Sequence, residues 1–83
     1  MNAPASKSSG YSAHVRMELR VNGHVLRIAQ MSSDFLMLKQ PVAHPPADAE
    51  IYLRIDDSES RWRVRLVEGI STTEAETRIA PLP

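Results

Sequence analysis

The sequence contains no cysteine. That excludes a disulfide framework, a thiol nucleophile and any cysteine-ligated zinc site. Net charge is absent too: ten Lys and Arg stand against ten Asp and Glu. The long-range field that draws a protein to nucleic acid or to a membrane surface is missing, so neither is an expected partner. No apolar run approaches the ~18 residues of a membrane-spanning helix. The three glycines, Gly10, Gly23 and Gly69, are scattered, so there is no glycine-rich phosphate loop. The opening stretch, Met1 to Gly10, has no hydrophobic segment. A secretory leader is therefore not expected, and the expected location is cytoplasmic.

What the sequence does contain is alternation. Residues 1–12 are small, polar and rich in Pro, Gly and Ser, which predicts a disordered tail ahead of one all-β domain over 13–83. From Val15 onward, Val15, Met17, Leu19 and Val21 share one strand face, and Arg16, Glu18, Arg20 and Asn22 share the other. Asn22-Gly23 is the signature of a type I′ hairpin turn, so His24–Met31 is expected to return with Leu26 and Ile28 inward. After the turn cluster Ser32-Ser33-Asp34, the short apolar run Phe35–Leu38 predicts a strand covered on both faces. Pro41, Pro45 and Pro46 stiffen the connection that follows.

A second hairpin is written into Glu50–Val67. Ile51, Leu53 and Ile55 alternate with polar residues, as do Trp62, Val64 and Leu66 on the return strand, and an acidic tip separates the two runs. Parity places Trp62 in the core. The spacing Ser71-Thr72-Thr73-Glu74 allows one short helical turn near the C-terminus, and Arg78-Ile79-Ala80 could form a sixth strand. The expected fold is a small antiparallel barrel or sandwich of five to six strands built on two β-hairpins.

From Val21 to about Leu66 the order of features resembles the PilZ domain. The family pattern is a strand ending in Asp/Asn-x-Ser-x-x-Gly, an apolar strand, a Pro-containing connection and an alternating strand. Here these positions read Gln30-Met31-Ser32-Ser33-Asp34-Phe35, Leu36–Leu38, the prolines and Glu50–Ile55. Ser32 matches; Gln30 stands at the Asp/Asn position and Phe35 at the Gly position. Arg16 and Arg20 have the family's Arg-x-x-x-Arg spacing. The resemblance implies a small β-barrel that senses a cyclic dinucleotide, cyclic di-GMP, through Arg16, Arg20 and Ser32.

No grouping of catalytic residues emerges. His14, His24 and His44 lack metal-ligand spacing, and Asp56, Asp57 and Glu59 lack the glycine and the distant Glu of a calcium loop. There is no nucleophile elbow. The expected function is therefore a non-catalytic binding or interaction module with no cofactor and no metal, monomeric or homodimeric. Its candidate surface is the outward face of the second hairpin: Arg54, Arg61, Arg63 and Arg65, with Tyr52 beside them. Two registers keep the apolar faces together. They pair Trp62 with Ile55 or with Leu53, and both set Arg54 opposite another Arg, Arg63 or Arg61. Like charges directly opposite are unfavourable; either Glu18, Glu50 or Glu68 offsets them within the fold or solvent screens them, or the expected partner is an anion, a phosphate-bearing small ligand or an acidic protein surface.

Overall fold

The computed structural model describes residues 14–83. The expected tail, residues 1–12, lies outside them. Six strands follow in order: β1 (Val15–Val21), β2 (His24–Met31), β3 (Phe35–Leu38), β4 (Ala47–Ile55), β5 (Ser58–Leu66) and β6 (Thr77–Pro81). They close into an antiparallel barrel in the order β1-β2-β3-β6-β5-β4, so the all-β expectation holds and resolves to a barrel.

The first hairpin forms as its turn dictates. Asn22 and Gly23 take φ of 48° and 83°, the left-handed pair that a type I′ turn requires, and Leu19 stands opposite Leu26. β2 then breaks register at Ala29 and leaves β1 for β3. The barrel closes where β6 pairs with both β3 and β5, and the β3–β6 seam is the shortest, with Phe35 opposite Arg78 and Leu36 opposite Thr77. Leu19, Val21, Ile28, Leu36, Ile51, Val64, Leu66, Ile70 and Ile79 fill the interior.

Four expectations change. The Ser71–Glu76 segment makes no helical turn. Ser71 Oγ does accept from the Thr73 backbone N–H at 3.1 Å, but this closes a serine turn, and by Thr77 the chain is committed to β6. The second hairpin turns on Asp56-Asp57 alone, with Ile55 opposite Ser58, so Trp62 pairs with Ile51 rather than with Leu53 or Ile55. The acidic tip is mostly strand, and Arg54 faces Glu59. Trp62 keeps its inward parity but is 37 % exposed, because β5–β6 pairing ends at Val64 opposite Pro81 and no strand among the described residues flanks the indole. Finally, β3 is covered only in part: Leu36 is buried, while Phe35, Met37 and Leu38 are half-buried.

Beyond the register break, β1, β4 and β5 run on together past the rest of the barrel. Val15 stands opposite Ile55 at the far end of this three-stranded extension. Their exposures of 53 % and 44 % follow from the absence of an opposing strand among the described residues.

Candidate functional site

Every arginine except Arg78 lies on the outer face of the β2–β1–β4–β5 sheet. Strand pairing arranges them in rows. One row runs Arg27, Glu18, Tyr52, Arg61; the next runs Arg20, Glu50, Arg63; on the other side lie Arg16, Arg54 and Glu59. Alternation puts side chains two apart on one face, and register brings the strands' sets side by side.

Glu18 is the hub. It is 6 % exposed, unusual for a carboxylate on an outer face. Arg20 donates to Glu18 Oε1 through Nε at 3.2 Å and Nη2 at 2.9 Å, and Arg16 donates to Oε2 at 3.5 Å. The Arg20 guanidinium also lies 4.3 Å from the Tyr52 ring centroid, a cation–π distance. Tyr52 is itself buried and its hydroxyl donates to Glu59 at 3.0 Å. The side chains expected to be merely outward thus pack into a layer of their own.

The expected arginine surface divides under this geometry. Asp48 lies between Arg63 and Arg65, at 3.5 and 3.1 Å. Glu59 takes Arg61 at 3.6 Å. Arg54 has no carboxylate partner among the described residues; its Nε donates to the Asp56 carbonyl at 2.9 Å. Directly across β1–β4 pairing from Arg54 stands Arg16. The like-charge pair anticipated within the hairpin therefore occurs between hairpins. Arg16, Arg27 and Arg54 line one open cleft of about 720 Å³, with His14, Val15, Asp56 and Asp57 at its rim.

The cyclic-dinucleotide candidates do not converge. Arg16 and Arg20 both engage Glu18. Ser32 sits in the β2–β3 turn, where its hydroxyl is within 3.4 Å of the Phe35 carbonyl and the Asp34 N–H, and it lines a separate, smaller cleft beside Trp62.

Glu18 is one of the carboxylates the sequence offers as an internal partner for the arginines, and it takes Arg16 and Arg20. Sequence reasoning missed Arg27 and Asp48; the signal for Arg27 was present, since the Asn-Gly turn fixes it opposite Glu18. Asp48 follows Pro41, Pro45 and Pro46 closely enough to read as part of their connection, whereas β4 begins at Ala47.

Opposite in sign is a cleft of about 560 Å³ near the β3–β6 seam, where Asp34, Glu68, Glu74 and Glu76 surround Arg78. Glu18, Asp48, Glu50 and Glu59 are interleaved with the arginines of the outer face, and the four carboxylates around Arg78 form a separate acidic group. Among the described residues no three His, Asp or Glu side chains are grouped to hold a metal ion, and no helix is long and apolar enough to cross a membrane.

No family model, no curated protein and no solved structure matches this chain.

Proposed function

We propose that the protein is a non-catalytic binding module that holds a phosphate-bearing small ligand on its arginine face, at the cleft between Arg16 and Arg54. The observation that carries this reading is their direct opposition across β1 and β4. Like charges at opposed positions of a strand pair repel, and here the two side chains lean apart, Arg16 toward Glu18 and Arg54 toward the Asp56 carbonyl. A phosphate between them removes that cost and accepts paired, charge-assisted hydrogen bonds from both. Arg27 lies on the same cleft without an ion pair among the described residues. Arg61, Arg63 and Arg65 have their own carboxylates and supply a positive surround.

The test is calorimetric titration and thermal unfolding of the full chain with pyrophosphate, at low and high salt. A ligand at 100 times its Kd adds ~2.7 kcal/mol to the folded state. Arg54→Ser and Arg16→Ser should each weaken binding by about tenfold or more, the equivalent of one charge-assisted hydrogen bond, and Arg65→Ser by much less. Equal losses at Arg65 and Arg54 would make the effect diffuse electrostatics, and binding of acidic proteins but of no small phosphate would overturn the ligand class.

A second reading, cyclic di-GMP sensing, is supported by the six-stranded antiparallel barrel and the Arg16/Arg20 spacing. Gln30, Phe35 and the engagement of Arg20 by Glu18 stand against it. Titration with cyclic di-GMP separates the two readings, since this one requires loss of binding on Ser32→Ala and Arg20→Ser, and the first does not.

A further inference from the structure

Where β2 passes from β1 to β3, one stretch of its edge stays open. Lys39 N–H donates to the Arg27 carbonyl at 2.9 Å, next to the Ile28–Leu38 pair. Arg27 thus directs its peptide groups away from β1, and alternation gives Val25, two residues earlier, the same direction. Among the described residues the Val25 N–H has no hydrogen-bond partner on that side. The chain does not continue the pairing beyond Lys39: Pro41 brings no N–H, and His44 pairs with Ile70 instead. What remains is a cleft of about 450 Å³ between Val25, Leu26 and Arg27 of β2 and Lys39, Pro41 and Val42 of the connection.

Two kinds of chemistry line it. Val25 and Val42 are 58 % and 43 % exposed, and Pro41 adds a third apolar surface. Ile28 and Leu38 face the core, so Arg27 and Lys39, the next positions along, stand opposite each other on the outer face. Like charges so placed repel. Neither has a carboxylate partner among the described residues. We infer that this cleft is a binding site, distinct from the Arg16–Arg54 cleft, for a small carboxylate with an apolar body. The head lies between Arg27 and Lys39. It accepts charge-assisted hydrogen bonds from both, and one from the Val25 N–H, as a peptide carbonyl on a neighbouring strand would. The body covers Val25, Pro41 and Val42. Unpaired cations select an anion, the open apolar wall selects hydrocarbon, and the volume is that of a small-molecule site. Arg27 also borders the Arg16–Arg54 cleft; Val25, Lys39 and Val42 do not, so the two sites can be tested apart.

The probe is octanoate, added to the full chain below its micelle concentration and followed by the amide NMR signals. Shifts should concentrate at Val25, Arg27, Lys39 and Val42. Acetate, which lacks the body, and octanol, which lacks the charged head, should each bind at least about tenfold more weakly. From butanoate to octanoate each methylene should tighten binding by about two- to fourfold, the upper figure being full burial. Lys39→Ser and Val42→Asp should each weaken octanoate by about tenfold and leave pyrophosphate titrations unchanged, while Arg54→Ser should spare octanoate. The ligand series uses the unaltered protein, so it decides even where a variant fails to fold. Octanoate binding without pyrophosphate binding would leave this site standing and remove the other. Octanoate that does not bind, binds no tighter than acetate or octanol, or loses as much to Arg54→Ser as to Lys39→Ser would overturn the proposal. So would affinity confined to acidic peptides or to vesicles of anionic lipid.

Discussion

Glu18 holds the outer layer together because it is the carboxylate on which two arginines meet. Its burial removes most competing water, and hydrogen bonds to charged groups contribute about 1.5–3 kcal/mol each. Its main partner, Arg20, keeps 37 % of its side-chain exposure, which pulls the value toward the low end. Glu18→Gln should therefore lower stability by about 1.5 kcal/mol in urea unfolding. Asp48→Asn, by contrast, breaks ion pairs whose side chains are all 47 % exposed or more, and should cost under ~0.5 kcal/mol. Equal losses at both positions would mean that burial does not distinguish them. At this scale the sequence was partly legible. Alternation names the outward side chains, but outward was equated with solvated, and nothing in the one-letter pattern says that Arg20 and Tyr52 would cover Glu18.

Among the elements, the two hairpins differ in legibility for a physical reason. Asn22-Gly23 can adopt a left-handed turn where few other pairs can, so it pins the first register to a single value. The second hairpin offers Asp56-Asp57-Ser58-Glu59-Ser60, every residue of which tolerates a turn. Face parity is satisfied by any shift of two residues. The observed register sets Arg54, Arg63 and Arg65 opposite Glu59, Glu50 and Asp48, so no arginine of this hairpin faces another across it. The long connection before β4 was also under-read. His44 exchanges two backbone hydrogen bonds with Ile70, at 3.0 and 2.8 Å, and so ties the proline segment to the β5–β6 loop. Gly69 makes this approach possible. Its φ is +71°, and an added Cβ would run into the His44 carbonyl and the Pro45–Pro46 backbone. Gly23, at φ +83°, has open space around the same position. Gly23→Ala should cost about 1 kcal/mol from conformation alone. Gly69→Ala should cost at least ~2 kcal/mol, because the backbone collision adds to the strain. Denaturant midpoints of the two variants check the difference, and indistinguishable values would show that the connection yields freely.

At the level of the whole molecule, a count of charges says nothing of their arrangement. Balanced charge argued against nucleic acid and a membrane surface as partners and left a local patch open; the structure groups Asp34, Glu68, Glu74 and Glu76 around Arg78 and interleaves the other arginines with carboxylates. Fold class was legible because five strands announce themselves by alternation or by a short apolar run, while β6 shows only as the brief stretch Arg78-Ile79-Ala80. Closure was not, since it depends on β6 finding β3 across some forty residues of chain. That seam, with its two residue pairs and the Ile79 N–H donating to Asp34 at 2.8 Å, is the weakest line around the cylinder. β4 and β5, by comparison, pair from Ala47 opposite Leu66 to Ile55 opposite Ser58. Native-state amide exchange should therefore be graded around the circumference. Protons at Leu36, Thr77 and Ile79 should exchange through a local opening well below the global unfolding free energy, while those of Ile51 and Leu53 should require complete unfolding. Uniform protection would show that the cylinder opens only as a unit. If the gradient is found, the molecule in solution alternates between a closed ring and an unzipped, curled sheet whose two ends are β3 and β6.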